Sequence, residues 1–317
     1  MPSVFYFIGV STAGSLSLEL FPIWLATLGL PPAEVRGYDL PLRGPREGYR
    51  EAVRRIRAEP EAAGALVTAH KLDLAAAAGD LFDGLDPDAR LFREVSCIAK
   101  RDGGLYGSAK DSRSSGLALA HFLPPGYWRE HPQAQALILG AGGAGLALSA
   151  CLLRDEHLHG VPSLITMADL DPRNLEACRE VHAALPRSTA LSYRESGAEA
   201  ANDRLLEELP AGSLVVNATG LGKDRPGSPI SDRARFPMDG LLWEFNYRGG
   251  LEFLAQARRQ QASRRLTLED GLVYFIFGWA LAIGEVFGRK LAPEDMGALC
   301  RATYSYLGSP PERRPCG

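Results

Sequence analysis

The stretch Ala136-Leu137-Ile138-Leu139-Gly140-Ala141-Gly142-Gly143-Ala144-Gly145 decides how the rest of the chain is read. Ala136 to Leu139 is a short apolar run of the length of a buried strand. Gly140 to Gly145 then spells G-x-G-x-x-G, and the Ala/Leu-rich segment Leu146 to Leu153 is expected to be a helix. Strand, glycine turn and helix in this order make a dinucleotide-binding unit. Gly140 would form the tight turn. Gly142, without a side chain, would let a pyrophosphate approach the backbone. Gly145 would let the helix lie close on the strand. Gly143 and Ala144 fall at the helix start, where free N–H groups meet phosphates. The rival reading is a glycine-rich βα turn with no ligand, because Gly and Ala are common residues.

A second apolar segment, Leu164 to Ala168, ends in Asp169. An acid at the end of the next strand is where the ribose hydroxyls of a dinucleotide are bound, and its charge repels a 2′-phosphate. Asp171, before Pro172, is read instead as a helix cap. Leu170 rather than Arg follows Asp169, so NAD is expected over NADP.

At 317 residues, 46% hydrophobic and 23% charged, the chain has the make-up of a soluble globular protein of two domains, or of one with a large insertion. A net charge of −3 gives no basic field for nucleic acid or an anionic membrane. No apolar run is long enough for a membrane span, and the N-terminus has no basic signal-peptide start. The cysteines, at 97, 151, 178, 300 and 316, have no metal-type spacing, so no metal is expected. They read as free thiols, and a cytoplasmic location follows as an expectation. The tail after Gly308 is Pro-rich and is expected to fray.

Strands are predicted over Val4–Val10, Val35–Leu40, Ala65–Thr68, Phe92–Lys100 and Leu105–Gly107, the last two flanking the hairpin signal Arg101-Asp-Gly-Gly104. Helices are predicted over Leu18–Leu28, Arg46–Ala58, Leu74–Leu81 and Ser114–Phe122, the last as a link between domains. The second domain has strand candidates at Leu137–Leu139, Leu164–Ala168, Leu214–Ala218 and Leu241–Asn246. Helices follow at Leu251–Gln261 and Leu272–Phe287. The fold class is therefore α/β in two domains: 1–112, completed by 267–317 through a returning helix, and 113–266 as a Rossmann-type doubly wound parallel sheet.

Several motifs in order give the chain a resemblance to the shikimate/quinate dehydrogenase family. Gly14-Ser15-Leu16-Ser17 resembles the family's S-x-S loop, and Val67-Thr68-Ala69-His70-Lys71 its V-T-x-P-x-K stretch. Gly107-Ser-Ala-Lys-Asp111 stands where the family has G-Y-N-T-D. Val216-Asn217-Ala218-Thr219-Gly220-Leu221-Gly222 resembles N-A-T-P-L-G, and Trp243-Glu-Phe-Asn-Tyr247 is loosely similar to D-x-x-Y. The resemblance implies a substrate domain joined to a dinucleotide-binding domain, and oxidation or reduction of a secondary alcohol on a cyclic hydroxy acid. It implies Lys71 as the proton-transferring group with Asp111 as its partner. Ser15 and Ser17 would bind the substrate carboxylate, with Thr68, Ser96 and Tyr247 as further substrate contacts. Asn217 and Thr219 would join the glycine loop and Asp169 at the cofactor. A hydroxyl must lose its proton as hydride leaves its carbon, which is why a positioned acid/base group is required.

The chain also departs from the family pattern. Lys71 stands three residues after Thr68 instead of four, and the proline is absent. His70 beside it could relay a proton, though a helix-edge or solvent-facing histidine is the plainer expectation. Leu66 and Ser96 stand where the family has asparagines, and Gly278 where it has a glutamine. Each lost amide removes a hydroxyl-binding group, so reaction type transfers better than substrate. The family's N-R-T is replaced by Asp169-Leu170-Asp171, in keeping with NAD. Shikimate, quinate, an amino or otherwise modified analogue in secondary metabolism, and a catalytically weak NAD-binding regulator are the readings carried forward. A homodimer is a possible assembly.

Overall fold

The computed structural model describes residues 3–154, 159–186, 189–223 and 225–308; the Pro-rich stretch after Gly308, with Cys316, lies outside them. The chain divides into two compact units, Met1–Lys110 with Ile276–Gly317, and Asp111–Phe275.

The first unit opens with β1 (Ser3–Gly9), α1 (Leu16–Thr27), β2 (Ala33–Asp39), α2 (Arg46–Ala58), β3 (Ala62–Val67) and α3 (Lys71–Ala78). It continues with β4 (Gly84–Leu85), α4 (Pro87–Phe92), β5 (Cys97–Arg101) and β6 (Gly104–Ser108). Its sheet runs β2-β1-β3-β5-β6-β4. β1 pairs in parallel with both β2 and β3, whereas β5 is antiparallel to β3 and to β6. Helix α2 shows why the local pattern works. Tyr49, Ala52, Val53 and Ile56 recur at helical spacing, all are buried, and they join Tyr6, Ile8, Ala65 and Val67 in one core.

The second unit contains α5 (Asp111–Phe122), α6 (Tyr127–Glu130), β7 (Ala136–Leu139), α7 (Gly143–Arg154), β8 (Leu164–Asp169), α8 (Pro172–Ala183) and β9 (Ala190–Glu195). It then adds α9 (Glu199–Glu207), β10 (Leu214–Asn217), β11 (Leu241–Glu244), α10 (Glu252–Arg264) and β12 (Thr267–Glu269). The strand order is β12-β11-β10-β7-β8-β9, with every pair parallel. The order reverses between β7 and β10, which is the switch point of a doubly wound sheet. β7 and β10 are buried along their whole length, as strands covered on both faces must be. Helix α11 (Leu272–Val286) passes from the second unit to the first, and α12 (Pro293–Leu307) follows it. Trp279 of α11 packs within 5.1–6.2 Å, ring to ring, of Phe5, Phe7, Phe21 and Trp24.

Several expected boundaries move, each for a local reason. Helix α1 begins two residues early because Ser15 caps it, so Ser17 lies in its first turn. The strand expected from Phe92 starts at Cys97. Pro87 and the Asp86 cap, which accepts from Ala89 N at 2.6 Å, make 87–92 a helix instead. Helix α3 starts at Lys71 instead of Leu74, and α5 at Asp111 instead of Ser114. α5 lies wholly in the second unit, so the link is at 110/111. The boundary expected at 267 falls at 275/276, because Thr267–Glu269 is the parallel neighbour of β11. β9 and α12 have no counterpart in the sequence reading. β9 is a half-exposed, polar edge strand that breaks the apolar-run rule.

A buried hydrogen-bonded chain ties α7, α8 and β9. Ser149 Oγ lies 2.8 Å from His182 Nε2, and His182 Nδ1 lies 2.8 Å from Tyr193 Oη. Ser149 donates to Leu146 O, so its oxygen accepts from Nε2–H of the imidazole, and in the neutral ring Nδ1 is left to accept from Tyr193 Oη. Burial lowers the His182 pKa to about 4. Between that value and its ordinary one, the unfolded chain binds more protons than the folded one. The contribution is therefore intact above pH ~6.5 and is lost as pH falls towards 4, up to about 3 kcal/mol. Urea titrations at pH 7 and pH 5 should show this loss in the wild type and a flatter dependence in His182→Gln. Equal pH slopes in the two proteins would remove His182 from the acid response.

Candidate active site

In the first unit, the candidate substrate groups gather at the carboxyl ends of β1 and β3. Ser15 Oγ and Ser17 Oγ lie 2.7 Å apart, at the start of α1. The loop before them is fixed by Asp39 at the end of β2: its Oδ1 accepts from Thr12 N at 2.9 Å and Thr12 Oγ1 at 2.7 Å. Thr12 O in turn accepts from Ser15 N. Ser17 is fully buried and Ser15 only half-buried, so of this hydroxyl pair on a braced helix N-terminus it is Ser15 that is open to a carboxylate, with Ser17 behind it. Thr68 follows β3, with its hydroxyl donating to Ile8 O at 3.2 Å.

Lys71 is the first residue of α3 and is half-buried. Its carbonyl accepts from Val95 N at 3.1 Å. A cation at a helix N-terminus sits at the unfavourable end of the dipole, so helix stability gives no reason to place a lysine there. His70 is fully buried, which corrects the solvent-facing expectation: its ring lies against Tyr49, with centroids 5.5 Å apart. Ser96 is also buried. Its hydroxyl accepts from Lys110 N at 2.7 Å and donates to Ser108 O at 3.4 Å, so it is engaged by backbone. At Gly278 in α11 an added Cβ would meet nothing within 4 Å.

In the second unit, the glycine turn stands at the switch point. Gly140 has φ +102°, and a Cβ there would lie 2.6 Å from Ala218 O and 2.8 Å from Thr219 N. A Cβ on Gly145 would lie 2.0 Å from Gly140 O. These two glycines are required by packing. Gly142 differs: it is exposed, and a Cβ would meet nothing within 4 Å. Gly143 and Ala144, half-exposed, begin α7. Open space over the turn, beside the N-terminus of a long helix, fits the phosphates of a dinucleotide. Asp169 ends β8. Its Oδ2 accepts from Ala141 N at 2.7 Å and its Oδ1 from Asp171 N at 2.8 Å. Asp171 caps α8 as expected, accepting from Arg173 N at 2.9 Å, and also binds the Arg173 guanidinium.

The loop after β10 holds a network that sequence reading did not find. Asn217 Oδ1 accepts from Thr219 N and Thr219 Oγ1, at 3.1 and 2.7 Å. Asn217 Nδ2 donates to Glu244 Oε2 at 2.7 Å. Glu244 Oε1 accepts from Asn246 N and Nδ2 at 2.9 and 2.7 Å. Asn217 and Thr219 thus shape the loop that faces Gly140. Burial pushes the Glu244 carboxyl up to about 7, against the opposing pull of these N–H donors. An acid within a strand run was the available signal. Tyr247, just beyond, stacks on Phe275 at 4.3 Å. Asp111 is buried in the first turn of α5, where the dipole favours a carboxylate, and its carbonyl accepts from Ser114 Oγ. Among the described residues no group of three or more His, Cys, Asp or Glu could hold a metal ion, and no helix is long and apolar enough to cross a membrane.

No protein-family model matches the chain. Curated relatives and solved structures do. The shikimate dehydrogenase (NADP(+)) of Streptococcus thermophilus is 31% identical over 190 residues, which are 56% of this chain and 58% of that protein. This chain thus spans less than two thirds of that relative. The shikimate dehydrogenase (NADP(+)) of Methylobacterium radiotolerans is 30% identical over 271 residues, 84% of this chain and 85% of that one. The shikimate 5-dehydrogenase of Thermus thermophilus, solved in complex with NADP(H) and shikimate, superposes with a TM-score of 0.67 at 25% identity, covering 95% of this chain and 99% of that one. With the glycine turn at the switch point and a second α/β unit carrying the S-x-S and V-T motifs, this extent of likeness means that the chain belongs to the shikimate/quinate dehydrogenase family.

Proposed function

We propose that the protein is a nicotinamide-dependent dehydrogenase acting on a secondary alcohol of a cyclic hydroxy acid, with NAD preferred. The observation that carries this reading is the Gly140–Gly145 turn at the β7/β10 switch point with Asp169 at the end of β8. The nicotinamide, when bound, supplies the hydride chemistry. The chain's own residues do the rest. Lys71 takes the proton of the substrate hydroxyl, or returns it, as the carbon changes oxidation state. Asp111, as the resemblance implies, accepts a hydrogen bond from the same hydroxyl. Ser15 holds the carboxylate, its hydroxyl paired with that of Ser17 behind it. The location proposed is the cytoplasm.

Substrate choice is proposed to lie among shikimate, quinate and modified ring acids. The backbone engagement of the Ser96 hydroxyl and the open space at Gly278 favour a ring acid with fewer or altered polar groups. Nicotinamide fluorescence with a panel of cyclic hydroxy acids and their amino analogues tests the reading. Turnover on one of them is expected. Tight cofactor binding without turnover on any would favour the regulator instead.

The relatives are named for NADP(+), and NAD preference is proposed for this chain on two grounds. On this reading the Asp169 carboxylate, at the end of β8, meets the ribose hydroxyls and repels a 2′-phosphate. Leu170 stands where the family's N-R-T has its arginine, and the exposed Arg173 pairs with Asp171. Asp169→Asn with Leu170→Arg should therefore weaken NAD binding and strengthen NADP binding, each by roughly tenfold or more. Titration of both cofactors into both proteins measures it. A wild type that already prefers NADP overturns the ribose assignment.

A further inference from the structure

Only three residues separate Lys71 from the end of β3, with no proline to stiffen the approach. Something else must fix the start of α3. The residue before Lys71 is a histidine whose ring is fully buried, although it stands at a helix edge. Its Nδ1 lies 3.3 Å from the hydroxyl of Tyr49, itself buried in α2. The same hydroxyl lies 3.3 Å from Asp73 Oδ2, in the first turn of α3, and accepts from Gly44 N at 3.2 Å. Farther along, Arg46 and Arg50 of α2 both donate to Ala77 O, and Arg50 also binds Asp80. Residues 46, 49 and 50 form one face of α2, so one helix face grips α3 at both ends.

Helix packing alone does not require a polar grip at the N-terminal end. Ala52, Val53 and Ile56 of α2, with Leu74, Ala77 and Ala78 of α3, already belong to one apolar core. Burying a tyrosine hydroxyl and an imidazole there carries a desolvation cost that apolar residues would avoid. The cost is not fully met: His70 Nε2 is buried and has no hydrogen-bond partner. Polar groups kept at such a cost are found where a backbone must be held in one arrangement, as beside a group that transfers a proton.

We propose that His70, held by Tyr49, is a positioning residue for Lys71. It fixes the first turn of α3, and with it the direction from which the lysine side chain leaves the backbone. The proposal rests on the reading of Lys71 as the proton-transferring group, and it concerns orientation, not proton transfer by the imidazole.

The test compares Tyr49→Phe, His70→Ala and His70→Asn in the full chain. Tyr49→Phe keeps the ring and deletes only the hydroxyl. His70→Asn places an amide near the position of Nδ1, whereas His70→Ala leaves none. The expected result is a fall in kcat of roughly tenfold to a hundredfold for His70→Ala, as for a misplaced reacting group. Tyr49→Phe should fall less, and His70→Asn should recover most of the loss. KM and cofactor Kd should stay within about twofold of the wild type in all three, because the serine pair and the glycine turn are untouched. His70→Ala with wild-type kcat overturns the proposal. So does an equal loss in His70→Ala and His70→Asn, which would mean general disruption of the fold.

A second readout does not depend on substrate. Acylation of Lys71 by an amine-reactive ester, followed by mass spectrometry, should change rate in His70→Ala and return towards wild type in His70→Asn. Lys100 serves as an internal reference. If the wild type turns over no ring acid, the functional reading fails while this measurement still decides the positioning claim. An unchanged Lys71 labelling rate in His70→Ala then overturns it.

Discussion

Lys71→Ala should cut turnover by roughly two to four powers of ten, the usual worth of a positioned acid/base group. Its cofactor affinity should stay close to wild type, because the lysine and the glycine turn belong to different units of the chain. The fold should also survive. Lys71 is half-buried at a helix start, and a cation there works against the helix dipole, so removing it relieves a small local penalty. Asp111→Asn should slow turnover too and raise KM more than Lys71→Ala does, since it deletes a hydroxyl acceptor. The check is steady-state kinetics at saturating cofactor, with cofactor Kd by fluorescence titration. A Lys71→Ala protein with wild-type turnover removes the lysine from the mechanism.

The second large effect separates two glycines that look alike in the sequence. Gly145→Ala puts a Cβ 2.0 Å from Gly140 O, a contact that only backbone movement can relieve. The start of α7 must move away from β7, at a cost of roughly 1–3 kcal/mol in stability, the range for overpacking a tight contact. Cofactor affinity should fall about a hundredfold or more, because the turn and the helix N-terminus are displaced together. Gly142→Ala puts its Cβ into open space, so the melting temperature should not change. Its cofactor affinity should fall nonetheless, because the methyl occupies the space through which phosphates would approach. Thermal melts and cofactor titrations on both variants give a two-by-two comparison. Gly142→Ala binding cofactor as tightly as wild type would show that the ligand does not pass over this residue.

The sheet of the second unit was readable because its determinants are local. Ala136–Leu139 and Leu214–Asn217 are apolar throughout, and each is short enough to exclude a helix. Asp171 before Pro172 announced its own cap. Where strands are polar or very short, as in β9 and β12, no local pattern marks them. Their pairing partners lie on strands more than twenty residues away in sequence. The site divides in the same way. Ser15, Ser17 and Lys71 stood out by residue type in a motif. The burial of His70 depends on Tyr49, which stands on another helix. The network of Glu244 depends on Asn217, 27 residues earlier. Neither partner is implied by the residue's own neighbours.

The passage of α11 from one unit to the other bears on how the chain is made. Residues 111–275 form one uninterrupted stretch and can close as a unit as soon as they have left the ribosome. Residues 1–110 emerge earlier, yet Phe5, Phe7, Phe21 and Trp24 wait for Trp279, and Trp24 Nε1 also waits for Thr303 Oγ1 at 2.9 Å. The amino-terminal unit is therefore born first and completed last. During synthesis its aromatic face stays uncovered for the time needed to translate the entire other unit. A nascent chain stalled before residue 276 should present that face to a chaperone, and the released full chain should not.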